Sequence, residues 1–343
     1  MADQDQLQIS GAEVPEDDDE LDAELFSEGG DYKIVAPGIE HQSEAISIRY
    51  NTEYSIVQAN ELLRSKQTDL TLMETKLIRL AISQIMKGDD DFRTYRVSAI
   101  RLAKFLDLPR SNVYRAMQDM NMNLMKRVIM LRDKDNPTKK GETNYKILHW
   151  LSSVEYKDKV LTYRLSDELK PYLIGLNEMF TTYSYEDIIH LPTPYAIRLY
   201  ELLASWVNTT VQSRKGKKKY KSPFQCIDQN GEEIPIAPNE IIFTVEYLKE
   251  FFDCNDKYKN NVGDFIRAVI ESSIVAVNKH TMMRVKLRKY KTGRTITHII
   301  FTFLDSFLDD PDSQEYIENL SKDYRDTVDD AAEQANDDED LPE

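Results

Sequence analysis

Residues 257–303 read KYKNNVGDFIRAVIESSIVAVNKHTMMRVKLRKYKTGRTITHIIFTF. The first half sets Phe265, Ile266, Val269, Ile270, Ile274 and Val277 on one face at helical spacing, which predicts an amphipathic helix over 257–278. The second half changes to extended patterning. Met282–Tyr290 and Thr295–Phe303 flank Thr292-Gly293, a hairpin signal. A long helix that runs into a basic hairpin is the ending of a winged helix-turn-helix unit.

Working outward, Thr244 is placed to cap a short helix through Phe252, and a helix is expected from Thr193 to about Val207 with Pro194 in its first turn. Before these, Val160–Leu165 reads as a strand and Ser166 as the cap of a helix through Gly175. The stretch 208–243, with Pro223, Gly231, Pro235 and Pro238, reads as a loop insertion.

The first half of the chain follows the same order. Residues 71–87 carry Met73, Leu77, Ile78, Ala81, Ile82 and Ile85 on one face. Thr94–Val97 is a short extended run, Ser98 caps a helix through Leu106, and 110–126 is a helix with Val113, Ala116, Met117, Met120 and Leu124 inward. Val128–Leu131 and Tyr145–Val154 then read as a hairpin around Asn136, Pro137 and Gly141. The expected fold class is therefore α+β: two tandem, pseudo-duplicated winged-helix domains at 46–157 and 158–305.

Charge separates this core from the chain ends. The protein carries a net charge of −16, yet residues 1–45 hold fourteen Asp/Glu and one Lys, and residues 305–343 hold sixteen and two. That leaves 41 Lys/Arg against 30 Asp/Glu in 46–304, a basic core suited to a polyanion. The segments 1–45 and 306–343 are expected to be disordered acidic tails, too poor in apolar residues to bury a core. Two cysteines, Cys226 and Cys254, indicate neither a disulfide framework nor a zinc module. With no signal sequence and no long apolar run, a cytoplasmic protein is expected.

The last helix before each hairpin is the candidate reader of double-stranded DNA. In the first domain, Arg110, Asn112, Arg115 and Gln118 are of the side-chain types that pair with guanine and adenine edges. In the second, Lys257, Lys259, Asn260 and Asn261 open the helix and Arg267 lies opposite its apolar stripe. The hairpin adds Arg284, Lys286, Arg288, Lys289, Lys291 and Arg294; the alternation of 284, 286 and 288 projects a cationic ladder from one strand face. Arg214, Lys215, Lys217, Lys218, Lys219 and Lys221 form a basic run suited to accessory phosphate contact. The pair Arg198 and Glu201 reads as a local ion pair beside the core.

Enzyme chemistry finds little footing. The five histidines share no ligand-like spacing, no two glycines are spaced for a phosphate-binding loop, and no nucleophile elbow occurs. No enzymatic activity, metal or cofactor is expected.

The chain also resembles the replication initiator (Rep) proteins of theta-replicating plasmids, which bind repeated sites called iterons. The resemblance runs from about Asn60 to Phe303. Its pieces are Asn60-Glu61-Leu62; Leu70-Thr71 with Glu74 and Lys76; Phe180-Thr181 with Tyr183; and Tyr195-Ala196-Ile197-Arg198-Leu199-Tyr200-Glu201-Leu202-Leu203. Tyr258, Phe265, Val269-Ile270, Val277-Asn278, Gly293-Arg294 and Phe301 complete it. The resemblance implies duplicated winged helices, iteron binding through both domains, origin opening and recruitment of host replication proteins such as helicase and initiator. It also implies a homodimer, joined through the first domain, in equilibrium with the monomer and repressing its own promoter. A winged-helix transcriptional regulator and an origin-nicking relaxase are the alternative readings.

Overall fold

The computed structural model describes residues 45–68, 70–132, 144–214, 227–228 and 231–320. The expectations for 1–44, for the loop at 133–143, for the basic run at 215–226 and for 321–343 lie outside these residues.

In the first winged helix, Thr71 opens the helix Leu72–Ile82 with a capping box. Its hydroxyl accepts from the Glu74 N–H at 3.2 Å, while the Glu74 carboxylate accepts from the Thr71 N–H at 2.7 Å. Strand Thr94–Ser98 leads into the Ser98-capped helix Ala99–Phe105 and then the helix Arg110–Leu124. Val113, Met117 and Leu124 of that last helix are buried, and the helix packs against 99–105, whose Leu102 and Ala103 are buried too.

The wing of this domain differs from expectation. Val128–Arg132 does pair antiparallel with Tyr145–His149, but these strands form a separate sheet with Lys66–Gln67. The returning run breaks at the buried Trp150. Leu151–Lys157 then turns at Asp158 and Lys159, both at positive φ, and pairs with Val160–Leu165. Two consecutive left-handed residues make the tight turn whose twist suits a hairpin. The true wing is thus 151–165, and its sheet order places 160–165 between 94–98 and 151–157. A boundary between 157 and 158 would cut this hairpin at its turn, so the division between the two modules falls later in the chain.

The second winged helix repeats the plan. Helix Pro194–Arg214 is followed by strand Glu240–Thr244, the Thr244-capped helix Val245–Phe251, a long helical run over 262–280, and strands Val285–Thr292 and Thr295–Phe303. Its sheet places 295–303 between 240–244 and 285–292, the same order as in the first copy. The reading of 208–243 as a plain loop fails at both ends. The helix continues to Arg214, and Glu240–Thr244 is an integral strand whose Ile241, Ile242 and Phe243 are fully buried. Ile234 and Ile236 cover the outer sheet face, against Ile242, Ile300 and Tyr290. Proline and glycine punctuation hid a short apolar strand here.

The C-terminal expectation is also corrected. Helices Asp305–Leu308 and Pro311–Asn319 fold back onto the core, burying Phe307, Leu308, Ile317 and Leu320. The Tyr316 hydroxyl meets that of Tyr200, and the Leu320 carbonyl accepts from the Thr182 N–H at 3.0 Å. Four well-spaced apolar residues, with Tyr316, seat a segment whose acidic residues are mostly solvated.

One contiguous core runs through both modules. At their junction Glu201 is fully buried between Arg79 and Arg198. Arg79 donates to it at 2.6 and 2.9 Å, Arg198 at 3.2 Å, and Tyr183 donates its hydroxyl. The local pair read in the sequence is therefore part of a buried triad that ties helix 72–82 to helix 194–214.

Candidate nucleic-acid interface

The reading helix of the first module, Arg110–Leu124, follows Pro109, whose extended backbone sets the entry but which offers no side-chain cap. Arg110, Asn112 and Arg115 are exposed around this end, where backbone N–H groups and the helix dipole favour an anion. Gln118 lies in the same helix, its side chain outside the described residues. Lys157 and Lys159 on the wing are exposed too, with the Lys159 ammonium 5.6 Å from the Tyr114 ring of the reading helix. The sequence reading missed both lysines, because the Asn136-Pro137 and Gly141 turn signals drew the wing to the wrong loop. The alternation of buried Leu161, Tyr163 and Leu165 across 160–165 was the signal that would have found them.

In the second module the reading helix starts at Val262, inside the stretch 257–278 expected to contain it. Asn261 is its cap: the side-chain oxygen accepts from the Asp264 N–H at 2.9 Å and the amide donates to the Asp264 carboxylate. Asn261 is thereby committed to the helix rather than to a base. The turn before it is held by Lys249, whose ammonium donates to the Tyr258 carbonyl at 2.7 Å. Lys257 stands over the rings of Tyr195 and Tyr258, and Lys259 and Asn260 are exposed beside it. Arg267 is 75% exposed, with a 3.4 Å contact to Asp264 one turn back. So exposed a pair holds its arginine weakly, leaving the guanidinium available for a bidentate base contact.

The cationic ladder of the hairpin is divided by the fold. Arg284 donates to the carbonyls of Thr281 and Met283. Arg288 donates to the Glu240 carboxylate at 2.8 and 3.3 Å and to the Pro235 carbonyl at 3.1 Å. Burial alone would push the Glu240 carboxyl up; the hydrogen bonds from Arg288, the Ala237 N–H and Thr302 outweigh it and hold the group low. Lys289 points to the other sheet face and meets Glu271 of the reading helix at 2.7 Å. Arg288 and Lys289 thus brace the wing. Lys286, Lys291 and Arg294 are exposed, the last two beside Gly293 at the hairpin tip.

Of the accessory run, Arg214 ends the helix 194–214 with its side chain outside the described residues. Lys215, Lys217, Lys218, Lys219 and Lys221 also lie outside them.

Each module thus presents one helix N-terminus and one hairpin tip, with Arg, Lys and Asn among their exposed side chains. Their chemistry is hydrogen bonding to base edges and charge contact with phosphates. Among the described residues, no helix is long and apolar enough to cross a membrane.

Comparison with known proteins agrees with this architecture. Residues 55–204 match the initiator replication protein WH1 family model, and residues 244–303 match the initiator Rep protein WH2 model, together more than half of the chain. Among solved structures, the fold is similar to that of the Pi initiator protein in complex with iteron DNA. The two share 20% identity over 74% of this chain and 98% of that one, with a TM-score of 0.51.

Proposed function

The chain belongs to the initiator Rep protein family, and from that premise we propose that it binds the repeated double-stranded sites of its replication origin in a sequence-specific way. The observation that carries this reading is the duplication itself. The same helix–strand–helix–helix–hairpin plan and the same sheet order occur twice, with strands 128–132 and 145–149 added before the hairpin of the first copy, and each copy presents an exposed helix end and a hairpin. Two such readers in one chain suit two adjacent major-groove segments about one helical turn apart. Binding then promotes opening of the origin and recruitment of host replication proteins such as helicase and initiator. The monomer engages the repeats, and a homodimer joined through the first module represses the initiator's own gene. The protein works by binding alone, without covalent chemistry, cofactor or metal, at plasmid DNA in the bacterial cytoplasm.

A footprint on the DNA that flanks the gene tests this. Protection of tandem repeats beside an AT-rich segment is expected. A single protected operator would favour a transcriptional regulator, and nicking of supercoiled flanking DNA in the presence of divalent metal would favour a relaxase.

Two substitutions separate reading from attraction. Arg267→Ala is expected to weaken specific binding by about 1–3 kcal/mol and to leave random DNA nearly unaffected; equal loss on both would reduce Arg267 to a phosphate contact. Lys291→Ala, at the wing tip, is expected to weaken all sequences alike and to shallow the log K against log salt slope by about 0.9. An unchanged slope would place the wing tip away from the backbone.

A further inference from the structure

Buried positions in the second reading helix step by four: Phe265 and Ile266, Val269 and Ile270, Ser273 and Ile274, then Val277. A regular α-helix has about 3.6 residues per turn, so each step of four overshoots by roughly 40°. Over three steps the buried stripe would rotate by about 120° and emerge into solvent. The run avoids this with a π-helical turn at Ile266–Glu271, between α-helical Val262–Phe265 and Ser272–His280. Such a wide turn absorbs one extra residue and recurs at functional sites. The opposite face is aligned by the same device, so Arg267, Ala268, Ser272, Val275 and Lys279 are all exposed along it.

Between its two cations this stripe is small and uncharged. Val275 is 67% exposed, the most exposed large hydrophobic residue among those described. The core lies on the other side of the helix, and a β-branched side chain contributes nothing to helix propensity there. Ser272 turns its hydroxyl back onto the Ala268 carbonyl at 2.6 Å, which leaves Ala268 and Val275 as the outward chemistry. Glu271, the single acid between Asp264 and Asp305, is neutralised by Lys289 reaching across from the wing. An outward apolar residue on a charge-balanced reading face fits the C5-methyl group of thymine, the one apolar group that a base pair shows in the major groove.

We propose that Val275, with Ala268 about two turns earlier on the same face, reads thymine methyl groups and is a specificity-determining residue of this helix. The inference rests on helix 262–280 being the DNA reader. Val275 lies roughly 12 Å along the axis from Arg267. The thymine is therefore no more than three to four base-pair steps, at about 3.4 Å each, from the base that Arg267 meets.

The test uses the full-length protein and the flanking DNA amplified with dUTP in place of dTTP, which removes every 5-methyl group and no hydrogen-bonding group. Wild type is expected to bind the uracil fragment more weakly, by about fourfold for each thymine methyl that the helix covers. Val275→Ala should weaken binding to the thymine fragment and shrink that ratio by about fourfold, while Val275→Thr, which keeps a methyl, should retain most of it. An identical thymine-to-uracil ratio in wild type and Val275→Ala would overturn the proposal, although specific binding itself stood. Failure of wild type to prefer the flanking fragment over random DNA would overturn the DNA-reading assignment and this proposal together. Both substitutions lie on the surface, and an unchanged melting temperature confirms that the comparison is one of binding.

Discussion

Glu201→Gln is expected to lower the stability of the protein by about 3–5 kcal/mol in a denaturant melt. The carboxylate is fully buried and serves two guanidiniums, of which Arg79 is itself fully buried. Glutamine keeps the shape and one acceptor oxygen but removes the charge, leaving two cations enclosed together. They have little room to escape to water, because the Arg79 guanidinium lies 5.1 Å from the Trp150 ring centre and that of Arg198 lies 4.3 Å from that of Phe251. Burial pushes the Arg198 guanidinium down to about 10, with Glu201 opposing. Burial alone would raise Glu201, but Arg79, Arg198 and the Tyr183 hydroxyl together hold its carboxyl below the ordinary range. Its share of stability is therefore present above the ordinary carboxylate pKa and is withdrawn as pH falls through the lowered value. An exposed pair such as Lys289 with Glu271 sets the scale for comparison, and Glu271→Gln should cost no more than about 0.5 kcal/mol. A loss below about 1 kcal/mol for Glu201→Gln would mean that water reaches the triad.

Phe307→Ala is expected to cost about 3–5 kcal/mol. The side chain is 1% exposed and packs against Phe303 of the last strand and Tyr316 of the terminal helix. Its removal opens a cavity between the second sheet and the segment that closes over it. Thermal or urea melts of variant and wild type decide the matter. Equal stability of Phe307→Ala and wild type would return residues 306–320 to the status of a solvated acidic tail.

These two sites mark where sequence reasoning was weakest. The acid-rich composition of 305–343 concealed Phe307, Leu308, Ile317 and Leu320, because an average over the whole stretch dilutes an amphipathic segment of sixteen residues. Glu201 looked like the partner of Arg198 three residues away, whereas its stronger partner, Arg79, lies 122 positions earlier. The candidate interface was more legible. Both reading helices, their exposed N-terminal cations and the second hairpin follow from period, caps and the Thr292-Gly293 turn. Which of those cations remain outward did not follow: Arg284, Arg288 and Asn261 are engaged within the fold, and Lys157 and Lys159 joined the surface only once the first wing was located.

Helix periods and caps are interactions among residues within four positions of one another, and so they are legible in neighbouring residues. Thr71 with Glu74 and Thr244 with Tyr247 are of this kind. The choice of strand partners joins residues 62 to 70 positions apart, as in Glu240 with Thr302 and Thr94 with Arg164, while the seating of the C-terminal helices against Tyr200 and Thr182 and the pairing of buried charges join groups more than a hundred apart; all of these emerge only when the core closes. The π-helical turn stands between the two. Its four-residue step is written in residues 265–277, but the same pattern leaves a continuous outward face only because one side of it is pressed against helix 194–214 and the other is left in solvent.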